Sequence, residues 1–396
     1  MEHEFSQATQ GLKSSAVREI LKLTQGNSIL SFAGGLPADE LFPIEAMRQA
    51  MEHVFDQGRH CLQYGLTEGY TPLREVIAQR LSHKKIRTDV DHMLLTTGSQ
   101  QVLDLLTKVY TDPGDVILVE NPTYLAALQV FHTYQLRTVA VASDEDGMQL
   151  DALRESLIRH RPKLIYVIPT FSNPSGRAWS VERRQGLADL AKEFGVLVIE
   201  DDPYGDICFD PNDRFLPVFS YDSDGDSGNI LYTSTFSKTV APAVRTGFVV
   251  GDKQVIQMMT RAKQAADLHS STLDQQLLYQ LLTHFDLDAH IHLIREEYGR
   301  RMHLMDKLLA EQSIEGLAWN KPRGGMFFWV KLPEGIDAEQ LLPLAVEEGV
   351  AFVPGIVFFA DQPQANTMRM NYTHTDDKDM AIGMDRLARA IRRYRP

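Results

Sequence analysis

Thr235-Phe236-Ser237-Lys238 places two hydroxyls and a primary amine within four residues, and Arg245 follows seven residues after the lysine. A neutral lysine amine can form an imine with a carbonyl and can carry a proton. Hydroxyls beside an arginine can hold a phosphate. Alone the pattern says little, because Lys238 is one of 40 lysines and arginines in the chain. Four other segments carry complementary groups. Gly98-Ser99-Gln100-Gln101 reads as the start of a helix, where free backbone N–H groups and the positive end of the helix dipole meet an anion. Asn121-Pro-Thr-Tyr124 presents an aromatic ring, and Thr170-Phe-Ser-Asn173-Pro-Ser-Gly176 an amide. Asp201-Asp-Pro-Tyr204 offers a carboxylate and a phenol.

Each of these segments follows a short apolar run: His92–Thr96, Val116–Glu120, Leu164–Pro169, Val196–Glu200 and Ile230–Ser234. Runs of that length and composition predict strands buried on both faces, as in a parallel sheet. Amphipathic stretches such as Gln101–Tyr110 and Val181–Phe194 lie between them, with apolar residues three and four apart. The alternation predicts a doubly wound α/β domain over 46–290. Beyond it come a charged helical pattern at Ile291–Gln312, β-like runs at Gly325–Leu332 and Val350–Val353, and a closing helix near Asp377–Tyr394. Residues 291–396 therefore read as a smaller α+β domain. Residues 1–45 form an N-terminal segment associated with it.

Ligands of an open parallel sheet bind outside the carboxyl ends of its strands, so these groups should converge. Together they suit a phosphorylated, aromatic, nitrogen-containing aldehyde, which is pyridoxal 5′-phosphate (PLP). Lys238 would form the imine. Asp201 would pair with the pyridine nitrogen and keep it protonated, making the ring an electron sink. Tyr204 and Asn173 could hydrogen-bond the ring hydroxyl, and Tyr124 could stack on the ring face. Thr235, Ser237 and Arg245, with Ser99 and Gln100 at the helix start, would take the phosphate. Arg245 reaches that edge only if the run Thr246–Gly251 is antiparallel to the other strands. No G-x-x-x-x-G-K-[ST] loop or G-x-G-x-x-G turn offers a nucleotide site at the same edge.

Composition narrows the class further. The 396 residues carry a formal net charge of -13, which opposes nucleic acid as a general partner. Cys61 and Cys208 are far apart in sequence and outside any metal spacing, so they read as reduced buried thiols. No secretory leader and no spanning apolar stretch is seen, which predicts a cytoplasmic protein without a membrane role. Asp222-Ser-Asp-Gly-Asp226-Ser-Gly228 has the alternating carboxylates of a calcium loop. It has Ser227 and Thr233 where the loop needs glycine and glutamate, so a solvated turn is expected. His290 and His292 do not share a helix face, and no metal is expected there.

Asp201-x-x-Tyr204, Ser237-Lys238 with Arg245, Asn173-Pro-Ser-Gly176 and Asn121-Pro-Thr-Tyr124 resemble the signature of fold type I PLP-dependent aminotransferases. Ser31-Phe-Ala-Gly-Gly35-Leu-Pro and Gln63-Tyr64-Gly-Leu-Thr-Glu-Gly69-Tyr resemble the group that acts on 2-aminoadipate, kynurenine and aromatic or branched-chain amino acids. The resemblance runs from about Val17 to the C-terminus. It implies an aspartate aminotransferase-like fold, with a mostly parallel seven-stranded sheet and a smaller α+β domain. It implies a homodimer in which Tyr64 reaches the phosphate of the partner's site. It also implies transfer of an α-amino group to a 2-oxo acid such as 2-oxoglutarate in a ping-pong reaction. By the same resemblance Arg369 takes the substrate α-carboxylate, Gly35 lies against the substrate, and Arg18 borders its side chain. Arg18 could then pair with a distal carboxylate, or it could be a solvated helix charge.

Two other functions share the pocket. A PLP lyase or racemase has the same cofactor residues but does not accumulate the pyridoxamine form with an amino acid alone. A regulator with an aminotransferase-like ligand domain needs a DNA-binding helix-turn-helix ahead of these motifs, and only about 30 residues precede the Gly-Gly-Leu-Pro segment.

Overall fold

The structure is a computed structural model that describes residues 3–10, 12, 14–24, 29–222 and 228–395. Residues 223–227, the middle of the calcium-like loop, lie outside the described residues. Among those described, no cluster of His, Cys, Asp and Glu could hold a metal ion, and no helix is long and apolar enough to cross a membrane. Cys61 and Cys208 are free and buried.

A seven-stranded sheet organises the larger part of the chain. Across it lie Met93–Thr96, Gly247–Val250, Ile230–Thr235, Leu197–Asp201, Leu164–Val167, Val116–Val119 and Arg137–Ala140. Every pairing is parallel except the two made by Gly247–Val250, which runs antiparallel between Met93–Thr96 and Ile230–Thr235. The start of Gly247–Val250 is thereby set at the carboxyl ends of its neighbours, with Gly247 opposite both Thr96 and Thr235. That register delivers Arg245 to the ligand-binding edge.

The sheet is buried on both faces, and successive residues supply different cores. Leu95, Leu118, Ile165, Val198 and Ile230 pack with helices Thr71–Leu81, Val181–Phe194 and Thr272–His284. Leu94, Ile117, Leu164, Tyr166, Ile199 and Leu231 pack on the other side with helices Ser99–Tyr110 and Leu125–Thr133. The helices follow from local sequence. Val181–Phe194 begins where Ser180 accepts a hydrogen bond from the Arg183 amide and ends at Gly195 in the left-handed region, φ +61°. The Ile291–Gln312 expectation falls four residues late at its start, because Asp286 caps a helix that spans Leu287–Glu311.

A four-stranded antiparallel sheet, in the order Ala318–Trp319, Phe327–Lys331, Thr367–Asn371 and Val353–Pro354, forms the second layer. It shares a core with Leu287–Glu311 and Asp377–Arg393. The run Val350–Val353, continuous in sequence, divides in the fold. Val350–Ala351 pairs in parallel with Leu30–Ser31, whereas Val353–Pro354 joins the four-stranded sheet. Leu30–Ser31 is thus tied to the smaller sheet through the run that continues into Val353–Pro354. The edge strand Arg137–Ala140 is not among the strands expected from sequence, because R-T-V-A is short, half-exposed and carries a charge.

Candidate active site

The turns that follow five strands open into one cleft of about 690 Å³. Lys238, Asp201, Tyr204, Asn173, Tyr124, Thr235, Ser237, Arg245, Ser99, Gln100, Gly35, Arg369 and Arg18 all border it. Tyr64, the remaining candidate, lies elsewhere on this chain. It is 78% exposed and meets His269 edge-on, with ring centroids 5.7 Å apart.

Ile230–Thr235 ends in the turn that carries Lys238, whose amine donates to the Gly35 carbonyl at 2.8 Å. Burial, with the cations Arg369 and Arg245 nearby, pushes this amine down to about 8. About a tenth of it is then neutral at pH 7, against less than a thousandth for an ordinary lysine.

On the adjacent strand Asp201 is 2% exposed. Its Oδ2 accepts from the Tyr166 hydroxyl at 3.0 Å, whereas its buried Oδ1 has no hydrogen-bond partner among the described residues. Burial raises this carboxyl to about 7, the Tyr166 hydrogen bond opposes the rise, and neighbouring Asp202 adds to it. A buried acceptor left unsatisfied costs about 1–3 kcal/mol. A protonated ring nitrogen is the kind of donor that would satisfy it. Tyr204 and Tyr124 line the same space, and burial raises both phenols, so each remains a hydrogen-bond donor.

At the phosphate end, helix Ser99–Tyr110 starts at Gly98, φ +76°, where a side chain would meet the Arg245 guanidinium. A Cβ on Gly247 would lie 2.8 Å from both the Gly98 carbonyl carbon and the Ser99 nitrogen. Two glycines therefore let strand and helix start approach closely enough to form a cradle of N–H groups. Thr235 and Ser237 hydroxyls stand 2.9 Å apart, and Arg245 donates to Ser237 Oγ at 3.2 Å and to the Thr97 carbonyl at 3.3 Å. Arg245 has no carboxylate partner among the described residues. Cation, hydroxyls and helix start form an anion site, and the whole set fits PLP.

On the far side Arg369, from strand Thr367–Asn371, donates to Asn173 Oδ1 at 2.7 Å and to the Ala33 carbonyl at 2.6 Å. Its Nε is buried without a partner among the described residues. The guanidinium lies over the rings of Phe327 and Phe358, at 4.3 and 5.0 Å from their centroids. Burial lowers it to about 10, which still leaves it charged at neutral pH. A buried arginine with neutral neighbours and a free donor suits a carboxylate from a small molecule. Gly35 faces Phe327, whose ring a Cβ would meet at 3.3 Å. Arg18, on helix Ala16–Thr24, is exposed and lies at the cleft's rim with Leu21 and Gln129.

Sequence reading misses Tyr166 and the two phenylalanines beneath Arg369. A tyrosine in the otherwise aliphatic run Leu164–Val167 is the available signal for the first, since a buried hydroxyl needs a partner. Phe327 and Phe358 carry no sequence signal beyond that of core residues.

A family model described as "Aminotransferase class I and II" matches residues 28–387. The aromatic-amino-acid aminotransferase 1 of Thermococcus litoralis is 39% identical, over 99% of this chain and 94% of that protein. The crystal structure of Pyrococcus horikoshii kynurenine aminotransferase with PMP superposes with a TM-score of 0.93, at 39% identity, covering 98% of this chain and 96% of that one. The alpha-aminoadipate aminotransferase of Thermus thermophilus, complexed with N-(5′-phosphopyridoxyl)-L-leucine, gives 0.91 at 38% identity, covering 98% and 97%.

The lowered Lys238 amine predicts that PLP uptake by the cofactor-free protein quickens with pH, reaches half its limit near pH 8 and levels off above about pH 9, because the neutral amine is the reactive form and its share saturates there. Stopped-flow absorbance at a series of pH values measures this. A rate that keeps climbing to pH 10 would contradict it.

Proposed function

Because the chain belongs to the class I and II aminotransferases and is PLP-dependent, we propose that the thirteen cleft residues named above are its working site, with Lys238 as the lysine that binds the cofactor. The single observation that carries this reading is the placement, in one cleft, of a buried carboxylate oxygen and a buried arginine Nε that both lack partners among the described residues.

When bound, PLP supplies an electron sink that weakens the bond to the substrate α-hydrogen. Asp201 would hold the ring nitrogen, Tyr204 and Asn173 the ring hydroxyl, and Tyr124 the ring face. Thr235, Ser237, Arg245, Ser99 and Gln100 would hold the phosphate. Arg369 clamps the substrate α-carboxylate through N–H groups it does not spend on Asn173 or Ala33, which fixes the α-carbon in front of Lys238. The Lys238 Nζ, lowered toward neutrality, then takes the α-proton and later returns a proton. Gly35 gives the substrate room, and its carbonyl holds the amine at rest.

The donor we propose is 2-aminoadipate, an aromatic amino acid or a branched-chain one, with 2-oxoglutarate as acceptor. The names of the similar proteins support that range. The cleft rim agrees with it, since Leu21 and Leu125 offer apolar surface while Arg18 and Gln129 offer polar groups. Arg18 would read a distal carboxylate. A homodimer is proposed as well, with Tyr64 supplied to the partner's phosphate. Leu62, Tyr64 and Leu66 are exposed together on one segment, as an unburied interface would be. Residues 46–290 would then hold the cofactor, with 1–45 and 291–396 making up the smaller unit, in a cytoplasmic enzyme.

Mixing the PLP-loaded protein with glutamate alone should convert the visible band to that of the pyridoxamine form, and 2-oxoglutarate should restore it. A protein that consumed an amino acid without accumulating that form would be a lyase or racemase instead. Arg18→Ala should raise KM for glutamate and 2-aminoadipate roughly tenfold while leaving aromatic donors unchanged. Equal KM values for dicarboxylic donors in parent and variant would remove Arg18 from substrate recognition.

A further inference from the structure

Asp201 is held by a residue with no part in the site described so far. Tyr166 pairs with Ile199 across the parallel strands Leu164–Val167 and Leu197–Asp201. Asp201 stands two residues beyond Ile199, so it projects from the same face of the sheet as Tyr166. The phenol therefore lies one pleat beneath the carboxylate and donates to Oδ2 at 3.0 Å. It is 0% exposed, and its ring is fixed edge-on against Phe131 at 5.6 Å. Oδ1, the other oxygen, is buried and has no partner among the described residues.

We propose that Tyr166 is a positioning residue for the cofactor. By engaging Oδ2 from below, it turns Oδ1 toward the ring nitrogen and favours the ionised form of Asp201. The charge of Asp201 is what keeps that nitrogen protonated. A hydrogen bond to the carboxylate stabilises the anion against the burial that disfavours it. The other titratable groups near Asp201 are Tyr124 from the turn after Val116–Val119, Tyr204 from the turn after its own strand, and Asp202 next in sequence. Glu120 lies near Tyr166 itself. None of these donates a hydrogen bond to Asp201 among the described residues. Burial, together with the charge of Asp201, raises the Tyr166 phenol well above its ordinary value. It therefore stays protonated and remains a donor through the working pH range.

The proposal rests on the assignment of Asp201 to the ring nitrogen, and the test separates the two. Tyr166→Phe keeps the ring and its packing and removes the hydroxyl alone. PLP affinity and the ¹⁵N resonance of ring-labelled PLP would be measured in the parent, Tyr166→Phe, Asp201→Asn and the double variant. Tyr166→Phe should weaken PLP binding roughly tenfold, as expected for loss of a hydrogen bond to a charged group. It should also move the resonance toward that of a neutral pyridine. The cofactor-free variant should also unfold at a somewhat lower temperature, because Asp201 Oδ2 loses its donor, so the resonance rather than the unfolding temperature reports the positioning role. In the Asp201→Asn background the same change should have little further effect on affinity or resonance. Equal losses of affinity in both backgrounds, or an unmoved resonance in Tyr166→Phe, would overturn the role of Tyr166. If Asp201→Asn itself left affinity and resonance unchanged, the assignment of Asp201 would fail first, and that of Tyr166 with it.

Discussion

Asp201 and Arg369 line one cleft, both almost fully buried, and among the described residues neither has a partner of opposite charge. Isolated ions in a low-dielectric interior are expensive, so folded proteins pair them, neutralise them or hydrate them. Here the chain surrounds each with neutral polar groups. Asp201 receives one phenol, and Arg369 receives an amide, a backbone carbonyl and two ring faces. Each keeps one atom without a partner among the described residues. Lys238 stands in the same space, and burial together with two arginines pushes its amine toward neutrality. Incomplete satisfaction of this kind is expected where a ligand supplies the missing charges. A cationic ring nitrogen, a phosphate and a substrate carboxylate would match Asp201, Arg245 and Arg369 in turn.

The cost of that arrangement is carried by the sheet. Both faces of the seven strands are covered by apolar cores, so the strand ends are held by structure that does not depend on the site. The one antiparallel strand, Gly247–Val250, sets Arg245 at the same edge as the parallel carboxyl ends. Gly98 and Gly247 permit the close approach from which the anion cradle is built. The second sheet contributes Arg369, and its strand Thr367–Asn371 also holds the segment before Gly35, through hydrogen bonds from Asn371 to the Phe32 carbonyl and from Arg369 to the Ala33 carbonyl. The proposed cofactor contacts thus come from the large sheet, whereas two of the proposed substrate contacts, Arg369 and Gly35, are tied to the small one.

Much of this is legible in the sequence, for physical reasons that differ by element. Six of the seven large-sheet strands announce themselves because strands buried on both faces must be continuously apolar. The seventh, Arg137–Ala140, lies at an edge and escapes that rule. Most of the proposed cofactor contacts are readable because each follows a strand, so parallel sheet topology brings them together; Arg245 precedes its strand and reaches the edge only because that strand is antiparallel. The resemblance to a family supplies Arg369 and Gly35, which topology cannot. Tyr166 escapes notice because its partner is set by register between two strands, and register is invisible in a single run of residues. The division of Val350–Val353 between two sheets is unreadable for the same reason.

Whether Lys238 is the residue that binds the cofactor is tested most directly by reducing the PLP-loaded protein with borohydride, followed by digestion and mass spectrometry. A single phosphopyridoxyl group is expected, on the peptide that contains Lys238. A label on another lysine, or none at all, would contradict that assignment.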